Sequence, residues 1–229
     1  MPEAIPAATV LLLRERAPSG LEVLMVRRNA ALSFAGGMWV FPGGRVDAGD
    51  RSAGDDPDGV TAARRAAVRE VAEEAGLDIG ADALVPFSHW TPPPQAPKRF
   101  ATWFFLVAAP PGAVTVDGGE IKAHRWIAPM EALRRCKAGE IELIPPTWIT
   151  LAQLSGFSEV APLLAEAGRR PPVVFVTRIG ASAEGPVAMY EGDAGYLTGD
   201  PDRAGDRHRL VMAAGGWWYA TPDGVVIAP

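Results

Sequence analysis

The chain has 229 residues, of which 48% are hydrophobic and 21% are charged, and this length suits one large domain or one domain with an appendage. Its net charge of −5 and the lack of a long basic run argue against a surface that neutralises the phosphates of a nucleic-acid polymer. Cys136 is the only cysteine and the apolar run over 7–13 is too short to span a membrane, so we expect a reduced, soluble, cytoplasmic protein that does not bind membranes.

The first part of the chain predicts three strands. Two of them lie over 9–13 and 21–27 and are joined by the turn residues at 18–20. A shorter strand over 38–41 leads into a Pro-Gly-Gly sequence at 42–44, which predicts a turn. These elements place a glycine pair directly after a strand.

A helix is predicted over 57–75, after an acidic stretch. Asp56 can cap it, Pro57 suits its first position, and Gly76 follows it as a stop signal. The helix therefore has a start and an end that the sequence defines by itself.

Further strands are predicted over 84–90, 100–108 and 123–127, followed by a helix over 129–137. The strand over 100–108 is almost entirely apolar, which is typical of a strand that is buried on both faces. The proline-rich segment 91–99 cannot form a helix or a central strand, so we expect a surface loop there.

The prolines at 145–146 predict the main boundary, between a domain over 1–145 and an extension over 146–229. The extension shows helical patterns over 147–154 and 158–167, and then short strands with glycine-rich turns over 171–179, 187–192, 208–221 and 224–229. Alternating strands and helices favour an α/β fold with a mixed sheet between helices, followed by an α+β extension.

Three carboxylates share one face of the helix predicted over 57–75. Glu70, Glu73 and Glu74 are three and four residues apart and so lie within an arc of about 100°. Upstream on the same stripe lie Ala63 and Ala66, where a merely solvated charged face would be expected to carry further charges. The glutamates are thus concentrated at the C-terminal end of a largely apolar helix.

This arrangement is electrostatically unfavourable by itself, because the carboxylates repel one another and oppose the helix dipole. A hard divalent cation such as Mg²⁺ would relieve both effects, since it prefers oxygen ligands. The alternative is a solvated helix whose glutamates only add solubility, and the spacing of the three residues alone does not decide between the two.

The residues around the glutamates resemble the Nudix hydrolase box, which runs Gly, five spacers, Glu, seven spacers, then Arg-Glu-U-x-Glu-Glu-x-Gly-U, with U bulky and apolar. Residues 69–77 match the second half at every specified position, and Gly44 with Asp50 matches the first half with Asp in place of Glu. The gap over 51–68 has 18 residues, 11 more than the box has. The coenzyme A diphosphatase-like branch of the family is similar in carrying an insertion here, and "FAGGMWVFPGGRVD" at 34–47 also resembles that branch.

The resemblance covers about residues 5–140 and implies an α/β/α sandwich on a mixed sheet. It also implies that Glu70, Glu73 and Glu74 bind Mg²⁺ or Mn²⁺ beside a diphosphate, with a backbone carbonyl of Gly44, or of Gly43, in the inner shell. Arg69 lies one turn before Glu73 and is expected to hold it in place by a charge-assisted bond. Asp50 occupies the position of a supporting carboxylate.

The same resemblance implies a catalytic base. Glu70 is the first choice, and Glu120, in the loop before "HRW" at 124–126, is a second base or a further metal ligand. An ordinary turn glutamate after two glycines is an equal alternative for Glu120. The expected reaction splits a small-molecule diphosphate into two monophosphates.

Three residues are candidates for substrate binding. Arg28 follows a predicted strand, and Arg99, with Lys98, follows the proline loop, where either could meet a phosphate or a ribose. Phe34 could stack on a base. For each of them a surface or core role is at least as plausible from the sequence alone.

Three functions remain open at this point. The first is a metal-dependent diphosphatase for coenzyme A or its thioesters, and the second is a diphosphatase for a dinucleotide or a nucleotide sugar. The third is a non-catalytic nucleotide sensor, which loss of a box glutamate would favour, although all three glutamates are present. The sequence also leaves a homodimer open.

Overall fold

The computed structural model describes residues 4–56, 59–116 and 118–229. Eight strands form the first sheet: β1 (Ile5–Arg16), β2 (Gly20–Arg28), β3 (Trp39–Val40), β4 (Gly43–Arg45), β5 (Val85–Thr91), β6 (Phe100–Ala108), β7 (Ile121–Ile127) and β8 (Val173–Val176). Five strands form the second sheet: β9 (Arg178–Ser182), β10 (Gly185–Met189), β11 (Arg209–Ala213), β12 (Gly216–Ala220) and β13 (Val226–Ile227). The helices are α1 (Val60–Ala75), α2 (Pro129–Lys137), α3 (Pro145–Leu154) and α4 (Val160–Arg169).

The first sheet is mixed. Its main order is β3-β2-β1-β6-β5-β8, with β4 pairing to β1 and β7 pairing to β2. The β1–β6 and β5–β8 pairs are parallel and the other pairs are antiparallel. This arrangement confirms the predicted mixed α/β fold.

Helices cover both faces of this sheet, because alternate residues of its central strands point to opposite sides. Val10 and Leu12 of β1 pack with the alanine and valine side of α1. Leu11 and Leu13 pack into the other core cluster, to which α2, α3 and α4 contribute Leu133, Trp148, Leu151 and Leu163. The result is the expected α/β/α sandwich.

The extension continues the first sheet before it forms the second. β8 pairs in parallel with β5, and Phe175 of β8 stacks on Trp90 of β5 with ring centroids 3.8 Å apart and planes at 5°. The two prolines at 145–146 open α3, where their missing N–H groups cost nothing. The division of the chain at residue 145 stays a prediction.

Most predicted elements are found close to their expected bounds, and β6 and α2 match them at both ends. The glycine pair was predicted as a turn, which is wrong: Gly43 and Gly44 lie in β4, paired to β1. Pro57 lies outside the described residues, and α1 begins at Val60. The N-cap is Gly59 and not Asp56 as predicted, although the Asp56 carboxylate accepts a hydrogen bond from the Thr61 N–H at 3.1 Å.

The helices of the described ranges contain no segment that is both long and apolar enough to cross a lipid bilayer.

Candidate functional site

A cleft of about 930 Å³ brings all the predicted site residues except Arg99 together. Its charged part is lined by α1, by β4 and by the end of β2, and its remaining walls are mainly apolar. Pockets of this volume hold a small molecule of cofactor size. This cleft is therefore the candidate site.

The two glycines of β4 allow the helix to approach the strand closely. A Cβ on Gly43 would overlap the backbone of β1 at Ala8, and a Cβ on Gly44 would overlap the carboxylate of Glu70. Because neither glycine has a side chain, the carboxylate lies directly against the β4 backbone. The first and second halves of the box thus form one site.

Glu74 is the most buried of the three box glutamates, with 6% of its surface exposed. Its Oε2 accepts a hydrogen bond from the Gly43 N–H at 2.8 Å, and its Oε1 lies 3.8 Å from Arg28 Nη1. Burial, with a further contribution from neighbouring Glu70, raises the pKa of Glu74 to about 8. This carboxylate is thus incompletely neutralised by its protein partners.

Glu70 and Glu73 occupy different environments. Glu70 is largely buried, and burial raises its pKa even though Arg69 opposes this shift. The side chain of Glu73 is 60% exposed and contacts Arg69 Nη1 at 3.4 Å. The helix therefore directs Glu70 and Glu74 inward and leaves Glu73 at the rim of the cleft.

Arg69 is held by several oxygens at once. Its Nη2 donates to Asp50 Oδ2 at 2.9 Å and to the Arg45 carbonyl at 3.0 Å, while Nη1 donates to Glu70 Oε1 at 2.8 Å. The expected contact with Glu73 is present, but at 3.4 Å it is longer than the bonds to Asp50 and Glu70. Burial would raise the pKa of Asp50, but its bonds to Arg69 outweigh this and hold the pKa below its ordinary value.

The acidic insertion is tied to α1. Arg65 Nη1 donates to the Asp50 carbonyl at 2.9 Å and to both carboxylate oxygens of Asp55 at 3.0 Å. Together with the Asp56–Thr61 hydrogen bond, these contacts attach both ends of the described loop to the helix. The insertion lies beside the site without entering the inner group of Glu70 and Glu74.

Arg28 connects the box to Glu120. Its Nη1 faces Glu74, and its Nη2 lies 3.4 Å from Glu120 Oε2. The neighbouring Asn29 fixes the loop that carries Glu120, because its backbone N–H donates to the Glu120 carbonyl at 2.7 Å and its Nδ2 donates to the Gly119 carbonyl at 3.0 Å. Sequence reasoning missed Asn29, whose only signal was its place beside Arg28 at the end of a strand.

The other predicted binding residues divide into two groups. Phe34 and Lys98 line the cleft, and both contact Phe100: the Phe34 ring lies edge-on at 5.0 Å and the Lys98 Nζ lies 5.5 Å from the ring centroid. Arg99 is not among the described lining residues, and its Nη2 donates to the Pro92 carbonyl at 3.3 Å. Of the two basic residues after the proline loop, Lys98 therefore lines the cleft and Arg99 does not.

The sequence profile of the NUDIX domain matches residues 4–147, which is more than half of the chain. The chain belongs to the Nudix family. An acyl-coenzyme A diphosphatase of Gallus gallus is 30% identical over 145 residues, 57% of this chain and 36% of that protein, and its Homo sapiens counterpart is 31% identical over 136 residues, 54% and 35%. The matched curated relatives are thus much longer than the part that aligns, which is 35% to 55% of their length.

Solved Nudix structures share the fold. The crystal structure of a Nudix hydrolase from Alicyclobacillus acidocaldarius superposes with a TM-score of 0.64 at 26% identity, covering 72% of this chain and 97% of that one. The NUDIX domain of Shewanella oneidensis NrtR, solved with ADP ribose, gives a TM-score of 0.51 at 14% identity, covering 67% and 87%, and supports the fold alone.

Nudix hydrolases generally use divalent metal ions. Within the described ranges no three acidic, His or Cys side chains already converge as a complete metal cluster. The donor set nevertheless fits a hard cation, because Glu70 and Glu74 offer only oxygens and Glu74 is buried with too little positive charge around it. A divalent cation between these carboxylates would supply that charge.

The Nudix box occupies only one end of the cleft. Thr177, Ile179 and Ala188, from the region after residue 147, also line it. Sequence reasoning missed these residues, because their position depends on the pairing of β8 with β5, and no local motif indicates that pairing.

Proposed function

We propose that this protein is a divalent-metal-dependent diphosphatase that cleaves the diphosphate linkage of a nucleoside diphosphate derivative into two monophosphates. The observation that carries the proposal is the burial of Glu70 and Glu74 against the β4 backbone, in a cleft that also contains Arg28 and Arg69. The Nudix family membership and the names of the curated relatives support the same reaction class.

The proposed ligands are the carboxylates of Glu70, Glu73 and Glu74 and the backbone carbonyl of Gly44, and the proposed metal is Mg²⁺ or Mn²⁺. When bound, such an ion neutralises phosphate charge and makes a water molecule more acidic. Glu70 and Glu74 are the inner pair by burial, while Glu73 could reach a second ion at the rim.

The roles of base, positioning residue and substrate contact are assigned to side chains of this protein. We assign Glu70 as the base that takes the proton of the attacking water, with Glu120 as the alternative base. Arg69, bonded to Asp50 and Glu70, fixes the orientation of the Glu70 carboxylate. Arg28 lies between Glu74 and Glu120 and is placed to bind a phosphate oxygen, with Phe34 on the cleft wall as a contact for the rest of the substrate.

Coenzyme A or one of its thioesters is the first-choice substrate. Two observations support it: three of the aligned relatives are named acyl-coenzyme A diphosphatases, and much of the cleft wall away from the carboxylates is apolar. A dinucleotide would place a second polar nucleoside against that wall, and ADP ribose would place its terminal ribose there.

The test is hydrolysis of a panel containing coenzyme A, an acyl-coenzyme A, ADP ribose and a dinucleotide, with Mg²⁺ or Mn²⁺ and then with EDTA. We expect metal-dependent release of two monophosphates, with coenzyme A compounds preferred. Glu70→Gln and Glu74→Gln should each lower turnover by roughly 10²-fold or more while the protein stays folded. Glu166→Gln, which changes an exposed glutamate on α4, is the matched control and should be fully active.

Full activity of Glu70→Gln, or activity unaffected by EDTA, would overturn the assignment. Tight binding of a panel member without hydrolysis would favour the nucleotide-sensor alternative.

A further inference from the structure

The region after residue 147 is fixed against the Nudix domain by an aromatic stack. Trp90 of β5 lies face-to-face on Phe175 of β8, and the Tyr190 ring meets Trp90 edge-on at 5.7 Å. The Thr177 N–H donates to the Thr91 carbonyl at 3.0 Å and so continues the pairing of the two strands past their ends. Because these rings are buried, the start of the second sheet has a defined position beside the cleft.

That position places apolar side chains on the far wall of the cleft. Ile179 lines the cleft and is 43% exposed, and Ala188 lies opposite it in the β9–β10 register. Trp90 of β5 and Phe104 of β6 also line the cleft, with their ring centroids 5.9 Å apart. An exposed isoleucine in a concave wall is suited to an apolar ligand.

The wall lies far from the carboxylates. β4, against which Glu70 lies, pairs with β1 on the edge opposite β6, so four strand steps separate β4 from β8, the strand that precedes Ile179. At about 4.8 Å per step this is about 19 Å within the sheet. A group that contacts Ile179 while its diphosphate lies at Glu70 must therefore be carried on an extended arm.

We propose that Thr177 and Ile179 form the binding wall for the acyl chain of a thioester substrate, so that the region after the family match determines which coenzyme A compounds are preferred. This inference rests on the proposed function, and it adds that the thioester is favoured over the free thiol. The wall touches a part of the substrate that does not react, so its effect is expected in kcat/KM, however it divides between kcat and KM.

The test compares octanoyl-coenzyme A with coenzyme A for the wild type, Ile179→Asp and Ile179→Ala. We expect the wild type to prefer octanoyl-coenzyme A and Ile179→Asp to lose roughly tenfold or more of kcat/KM for it. The loss on coenzyme A should be much smaller, because that compound has no acyl chain to contact the wall, and Ile179→Ala should show a smaller loss on octanoyl-coenzyme A than Ile179→Asp. Leu197→Asp changes an exposed apolar residue outside the cleft lining and is the control.

Equal losses on both compounds, or a wild type that does not prefer octanoyl-coenzyme A, would overturn the proposal. If the wild type hydrolysed neither compound, the proposed function would fail, and calorimetric binding of both compounds to the wild type and Ile179→Asp would still decide the role of the wall. If Ile179→Asp proved unfolded in a melting experiment, the Ile179→Ala comparison decides instead.

Discussion

Two arginine–carboxylate clusters in this molecule differ in how completely their arginines neutralise the buried carboxylates. Arg209 and Asp193, in the second sheet region, form a closed pair: both carboxylate oxygens accept from the guanidinium at 2.6 Å, and backbone N–H groups of Gly195 and His208 supply further bonds. Burial would raise the pKa of Asp193, but its partners lower it below the ordinary value. This pair is neutral and complete.

The Nudix box cluster is not neutral. Arg28 and Arg69 lie within 4 Å of six carboxylates: Asp47, Asp50, Glu70, Glu73, Glu74 and Glu120. Burial raises the pKa of Glu74, whereas that of Asp193 is lowered. Asp47, Glu73 and Glu120 are exposed to solvent, so the negative charge without a full protein partner lies on the buried pair Glu70 and Glu74, where the cation is proposed to bind.

The largest expected difference between the two clusters is in stability. Asp193→Asn should lower the free energy of unfolding by about 3–5 kcal/mol, because it leaves the buried Arg209 without a counter-charge. Glu74→Gln neutralises an equally buried carboxylate but removes an unfavourable charge, so stability should be unchanged or higher. Urea unfolding followed by tryptophan fluorescence compares them, and a similar loss in both variants would contradict the distinction.

The gain in stability on adding Mg²⁺ should also distinguish the two clusters. Mg²⁺ at about 100 times its dissociation constant should stabilise the wild type by about 2.7 kcal/mol, because it binds the folded state. Asp193→Asn should retain this gain, whereas Glu74→Gln should lose most of it. The measurement is the denaturation midpoint with Mg²⁺ and with EDTA, and an equal gain in all three proteins would place the cation elsewhere.

Asn29→Ala should have a smaller effect, confined to activity. Removing the Nδ2 bond to the Gly119 carbonyl frees the loop that carries Glu120, and one such bond is worth about 1 kcal/mol, or up to about tenfold in kcat. In a protein that already carries Glu120→Gln, Asn29→Ala should cause no further loss of kcat. A full additional loss in the double variant would show that Asn29 acts independently of Glu120.

Shortening the insertion by deleting 51–54 should have the smallest effect. The deleted residues lie between Asp50 and Asp55, outside the carboxylate pair, so we expect Mg²⁺ affinity to be unchanged. Isothermal titration of the deletion variant checks this. Loss of metal affinity in a folded deletion variant would mean that the Arg65 contacts to the insertion also position the ligands.

The local parts of this site could be predicted from the sequence. The face shared by Glu70 and Glu74 follows from helix periodicity, and the box spacing predicted that the glycine pair belongs with them. The prediction of a turn at Gly43 and Gly44 was wrong because the extended conformation of β4 depends on its pairing with β1, which lies more than 30 residues earlier in the chain. The main partner of Arg69 was also missed, since Asp50 reaches it across the insertion.

The far wall of the cleft could not be predicted at all. Ile179 reaches it through a parallel strand pair, β5–β8, whose members are separated by more than 80 residues and by all three helices α2, α3 and α4. No short motif encodes a pairing of that range. Its strength comes instead from burial of Trp90 against Phe175, which the sequence presents only as two aromatic residues in apolar runs.

The β5–β8 pair also has a consequence for any attempt to prepare a minimal catalytic fragment. A chain cut at residue 147, where the family match ends, would lack the strand that covers β5 and the ring that covers Trp90. The unpaired N–H and C=O groups of β5 would then form an open edge beside an exposed aromatic side chain, which is a template for intermolecular strand pairing. Such a fragment is expected to precipitate, and a usable one has to extend at least through Tyr190.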